Sequence, residues 1–218
     1  MIRNRIKLEP IRPKINILES LFIMRKLFIF IWLLIPLGAT AYHFGPGQQN
    51  LKFDQATQHI DLAEKHLTNK EFAEAVVEFD EAISSLPNED VSTITKLRIE
   101  KAKAQMQCSQ LPEAYKNLES MLSEINADTN PKLIAEIKST LANAQYYITW
   151  LMRLEGHSRE IWEPVIESSR QNYYAASEFV KGEGNQKLNN ELLQNLETSI
   201  KLARMDLDEL QGLPLPNQ

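Results

Sequence analysis

The chain has 218 residues, 43% hydrophobic and 24% charged, a balance that excludes an intrinsically disordered protein. Its net charge of -5 hides an asymmetry: residues 1–41 hold seven Lys and Arg against Glu9 and Glu19, a local +5 that leaves -10 on residues 42–218. An acidic body repels phosphate, so nucleic acid is excluded as a partner. Only 7 Gly argue against a sheet-rich fold, and a lone Cys108 excludes an intramolecular disulfide or a multi-cysteine metal site. Cys108 reads as a small buried hydrophobe of a helix.

The first element is an address. Met24-Arg25-Lys26 precedes the apolar run Leu27-Phe-Ile-Phe-Ile-Trp-Leu-Leu-Ile-Pro-Leu-Gly38. One reading is a cleaved signal peptide, with Ala39-Thr40-Ala41 as the cleavage site. The other is an uncleaved anchor over 27–44, about 27 Å long at roughly 1.5 Å per residue, just short of a bilayer's roughly 30 Å core. Both readings put basic residues 1–26 in the cytoplasm and everything after the run outside. Met24 would itself be an ordinary start of a signal, so residues 1–23 also read as an upstream extension. Residues 45–50, with Gly45, Pro46 and Gly47, predict a short hinge.

From residue 51 to 211 the punctuation predicts seven helices. The first covers about 52–68 and ends at Asn69, suited to a left-handed cap. The second, about 70–86, carries a wide apolar stripe through Phe72, Ala75, Val76, Phe79, Ala82 and Ile83 and stops at Pro87. The third covers about 91–108, and the fourth opens at Pro112 and reaches about 125. The fifth follows Asp128-Thr-Asn-Pro131 and ends at Gly156. The sixth runs from Ser158 to about 181, with Pro164 near its start, and the seventh covers about 186–211. That last helix spaces Leu188, Leu192, Leu196, Ile200, Ala203, Leu207 and Leu210 at steps of three and four, which also suits a coiled-coil seam. Residues 212–218 form a Pro-containing tail.

Small residues recur at a fixed interval. Ala63 and Ala102 are 39 residues apart, as are Ala75 and Ala114, and Ala142 follows Ala102 by 40. That is the mark of stacked helical pairs, because two helices approach closely only where a small side chain faces the partner's backbone.

The second helix, Phe72-x-x-Ala75-x-x-x-Phe79-x-x-Ala82-x-x-x-x-Pro87 with Leu62-Ala63 upstream, resembles a tetratricopeptide repeat. His66 departs from the pattern at a position usually aromatic or Leu. The next pair (Ala102, Leu111, Ala114, Leu118, Met121) matches more loosely and lacks the closing proline, and the third matches only through Ala142. The resemblance implies an all-α superhelix of about three hairpins and a C-terminal capping helix, with an ordinary helical bundle as the rival architecture. It also implies a concave face, lined by the first helix of each pair, that binds a protein or peptide. That face would hold Thr57, Ile60, Glu64 and Leu67, then Lys96, Ile99, Lys103 and Met106, then Ser139, Asn143 and Tyr147. The family's carboxylate-clamping variant needs Lys and Asn where Ile60 and Glu64 stand, which argues against a C-terminal peptide as ligand.

Enzyme chemistry is not legible. His43, His59, His66 and His157 have no companions at metal-ligand spacing, and the charged turn of Glu155, His157, Glu160 and Glu163 reads as solvated. There is no phosphate loop and no nucleophile elbow. The expectation is a non-enzymatic protein without cofactor or metal, bound to a membrane through 27–44, acting as an adaptor of a bacterial envelope. The alternative is a structural protein that self-associates through its last helix. Tyr146, Tyr147, Trp150, Trp162, Tyr173, Tyr174 and Phe179 concentrate in the fifth and sixth helices and read either as packing between them or as a partner surface.

Overall fold

A computed structural model of the chain describes residues 17–44, 46–125, 130–206 and 209–210. Among the described residues there are eight helices and no strand. The chain divides into two compact units between Leu51 and Lys52, one residue from the predicted start of the repeat domain.

In the first unit, helix α1 (Ile17–Phe44) contains Met24–Tyr42, a stretch of 19 residues long and apolar enough to cross a membrane or to be a signal sequence. Phe28 is 77% exposed and Trp32 74%, on a helix that is apolar around its whole circumference. Such a helix has no polar face to give to water, so its apolar surface needs lipid or removal. The predicted hinge is corrected in part: helix α2 (Pro46–Thr68) begins at Pro46, so 46–50 are helical, while Gly45 lies outside the described residues. Proline fits there because the first helical position needs no N–H partner.

The second unit is an array of hairpins. Helix α2 pairs with α3 (Phe72–Ser85), α4 (Val91–Gln107) with α5 (Leu111–Glu124), and α6 (Pro131–Leu154) with α7 (Arg159–Gly182). A single helix, α8 (Gln186–Arg204), closes the end. From α3 onward each helix packs on the next, and α4 also meets α6, as α6 meets α8. Contact with the neighbour and the next-but-one is what stacking of pairs produces.

Local chemistry sets the boundaries. Asp90, Asn130 and Asn185 each accept a backbone N–H of the first turn, at 3.2 Å from Thr93, Leu133 and Leu188. Leu86 is extended (φ -78°, ψ 147°) because Pro87 forbids it the helical region, and α3 stops there. After α2 the left-handed residue is Lys70 (φ 62°), not the predicted Asn69. Gly156 (φ 77°) and Gly184 (φ 76°) take the corresponding place after α6 and α7, where only glycine adopts that conformation without strain.

The recurring alanines are all buried: Ala63, Ala75, Ala82, Ala102, Ala114 and Ala142. In the first hairpin, Ala56 and Ala63 of α2 meet Ala75, Phe79 and Ala82 of α3 in one cluster, so Phe79 fills the space the alanines leave. His59 Nδ1 stands 2.7 Å from Glu78 Oε2 and ties the same two helices at their edge. Ala75→Leu is expected to overpack this contact and cost about 1–3 kcal/mol. An unfolding midpoint equal to wild type would remove the close-packing account of the alanine spacing.

Two expectations change at the C-terminal end. The last helix ends at Arg204, and Met205 is extended (φ -69°, ψ 153°), so the proposed seam is shorter than three heptads. Leu192 and Leu202 face inward, against α6 and α7. Leu210, predicted on that stripe, is instead buried beside Tyr146 and Trp162, where its carbonyl accepts from Trp150 Nε1 at 3.3 Å. The aromatic-rich helices resolve toward packing: Tyr146, Tyr173 and Trp162 are buried, while Tyr174 stays exposed. Cys108 is half-buried against the first cluster, and burial pushes its thiol above the ordinary value.

Candidate functional site

The second unit has a groove of about 730 Å³ bordered by α4, α6, α7 and α8. Its size lies within the range of about 300–1,000 Å³ common for ligand sites. Lys103 and Met106 come from the last turns of α4, and Ser139 and Asn143 from successive turns of α6. Phe179 and Val180 end α7, and Leu188 and Leu192 start α8. Antiparallel packing of α6 on α7, with a three-residue turn into α8, brings these distant segments to one place.

Polar side-chain bonds tie α6 to α7. Ser169 Oγ donates to the Ala142 carbonyl at 2.8 Å, and Asn172 Nδ2 donates to Gln145 Oε1 at 3.0 Å. The Tyr173 hydroxyl donates to Asn143 Oδ1. Tyr173 is fully buried, and burial drives its phenol far above the ordinary tyrosine range, so it stays a donor at any physiological pH. Asn143 therefore enters the groove with its amide orientation already set.

The rim is charged. Lys103 Nζ lies 2.7 Å from Glu100 and 3.8 Å from Glu136, linking α4 to α6. Lys132, Glu183 and Glu191 complete it, with Lys187 4.0 Å from Glu191 but itself almost fully exposed. Between the rim residues the floor sets apolar Met106, Phe179, Val180 and Leu192 beside polar Ser139, Thr140 and Asn143.

Of the residues predicted for the concave face, Lys103, Met106 and Asn143 meet here, together with Ser139. Ile99 is corrected: it is 0% exposed, packed with Ala102, Leu118 and Ile137, and has no surface for a partner. Ile60 and Leu67 are half-buried against the first hairpin's cluster, and Tyr147 packs against two clusters along α6. Glu64 and Lys96 are exposed on α2 and α4 but lie outside the groove. Phe179, Val180, Glu183, Leu188 and Glu191 were not anticipated there. Leu188 and Leu192 did carry a signal, read as a seam, because an apolar stripe does not say whether it faces a helix or an opening.

Among the described residues no group of three or more His, Cys, Asp or Glu stands where it could hold a metal ion. His157 and Glu155 form an exposed pair at 3.2 Å. Comparison with protein-family models, with curated proteins and with solved structures finds no match. Fold and groove nevertheless define a class: an all-α array of helical hairpins with a closing helix and a lined groove, preceded by a helix long and apolar enough to span a membrane or to serve as a signal.

Proposed function

We propose that the chain is a non-enzymatic adaptor, held at a membrane by α1, whose tetratricopeptide-like hairpins bind a segment of a partner protein outside the cytoplasm. The groove carries this reading: a largely apolar floor, an oriented amide and a charged rim suit a protein segment of mixed character. Charge supports one side of the membrane. Basic residues precede the apolar stretch, which supports a cytoplasmic N-terminus, and in a bacterial envelope the hairpins would then lie in the periplasm.

Cross-linking intact cells that carry the tagged full-length protein, followed by mass spectrometry, tests it. The expected result is one reproducible envelope protein, lost when Lys103→Glu and Leu188→Asp are combined. Capture that persists in the double variant would remove the groove from the reading. A second reading, self-association, draws on Leu188 and Leu193 of α8, which are 40% and 44% exposed. Recovery of the protein only as linked multimers would favour it.

A further inference from the structure

The groove's chemistry narrows what can occupy it, an inference that rests on the adaptor reading. A helix presents side chains alone, since its main-chain carbonyls are used internally; an extended segment presents free carbonyls and N–H groups. The floor offers a matching group. Asn143 Oδ1 already accepts from the buried Tyr173 hydroxyl, which fixes the amide and makes Nδ2, a donor, its less engaged half for an occupant. A donor fixed in advance by a buried partner costs little to order when a carbonyl arrives.

Charge gives the direction. Lys103 is already held by Glu100 and Glu136, so the α4 side of the rim is close to neutral or acidic. The α7–α8 edge carries Glu183 and Glu191, and the opposing Lys187 is too exposed to neutralise them. Lys132, at the start of α6, is the rim's remaining cation. The -10 carried by residues 42–218 adds a long-range field of the same sign as the acidic edge. Between the edges, Met106, Phe179, Val180 and Leu192 accept apolar side chains.

We infer that the groove holds an extended segment of a partner protein that is apolar at its centre and basic at the end meeting Glu183 and Glu191, with a main-chain carbonyl accepting from Asn143 Nδ2. Extension places alternate side chains on the floor and the others toward solvent, so the segment alternates apolar and polar residues.

A random dodecapeptide library displayed on phage, selected on the full-length chain in detergent, tests this. Clones are sorted by loss of binding to Ser139→Trp, which fills the groove floor. The sensitive clones are expected to share alternating apolar residues and a Lys or Arg at one end. Glu183→Lys with Glu191→Lys should abolish or reverse the basic preference without touching any core contact. Tyr173→Phe should weaken the same clones roughly fivefold to tenfold by releasing the Asn143 amide. Thermal melts of each variant separate this loss from unfolding, and the charge reversal decides the matter if Ser139→Trp fails to fold.

An acidic consensus, sensitive clones that bind only as helices, or binding unmoved by the charge reversal would each overturn the inference. So would the absence of groove-dependent clones. None of these removes a partner found by cross-linking in cells, so the inference can fail while the adaptor reading stands.

Discussion

Phe79→Ala is expected to destabilise the hairpin unit by about 3–5 kcal/mol, the upper range for truncating a buried aromatic residue. Phe79 is 2% exposed and shares its cluster with Ala56, Ala63, Ala75 and Ala82. The cost of such a truncation depends on how far the neighbours collapse into the space. Alanine has no side-chain torsion with which to move, so the cavity would close only by shifting α2 against α3. That shift would break the same close approach the alanines allow. Val76, Leu86 and Leu97 are the larger buried groups of the cluster, and Leu86 is fixed beside Pro87. Phe79→Leu keeps most of the volume and should cost no more than about 1.5 kcal/mol. Urea unfolding of the full-length protein in detergent, followed by near-ultraviolet circular dichroism, measures both. A Phe79→Ala variant within about 1 kcal/mol of wild type would mean that the hairpin is loosely packed.

The alanines also show which parts of the structure the sequence encodes openly. Small residues 39 or 40 apart are local in meaning: each reports a close helix contact, whatever lies beyond it. Helix boundaries were legible for the same reason, since Pro87, Pro131, Gly156 and Gly184 act through their own backbone. The misread left-handed residue illustrates the limit. Asn69 is the better intrinsic candidate, but the bonds from Lys70 to the Leu67 carbonyl and from Glu71 to the His66 carbonyl fix the turn one residue later. Geometry of closure outweighed residue preference.

The groove was half legible. Lys103, Met106 and Asn143 follow from assigning the first helix of each pair to one face. The contribution of α7 and α8 does not, because it depends on how tightly the last hairpin folds over that face. Ile99 fails on a finer point. It lies one turn before Lys103 on α4, yet the helix rotates enough to bury it between α5 and α6. A face predicted by periodicity is about a third of a helix wide, and its edges are decided by packing.

The largest feature hidden from the sequence is Arg153, and its removal should be the second severe lesion. A basic residue in the last turn of α6 reads as a complement to that helix's own dipole. It serves α8 instead: Arg153 donates from one guanidinium nitrogen to the Leu202 carbonyl and from the other to the Met205 carbonyl. Its guanidinium carbon lies 4.8 Å from the centre of the Trp162 ring. Burial pulls the guanidinium below its ordinary value, partly countered by Asp206, but an arginine stays charged throughout the physiological range. The cation thus lies against the negative end of a second helix. Arg153→Ala leaves two carbonyls without a donor and removes the stacking on Trp162, for an expected loss of about 2–4 kcal/mol. Arg153→Lys should recover only part of this, because one ammonium on a flexible stem cannot span both carbonyls as a planar fork does. The readout is local as well as global. Amide exchange in the last turn of α8 should accelerate in Arg153→Ala while the first hairpin keeps its protection, since α2 and α3 lie at the far end of the stack. Uniform acceleration across all helices would mean instead that the array unfolds as a single unit, with Arg153 supporting the whole of it.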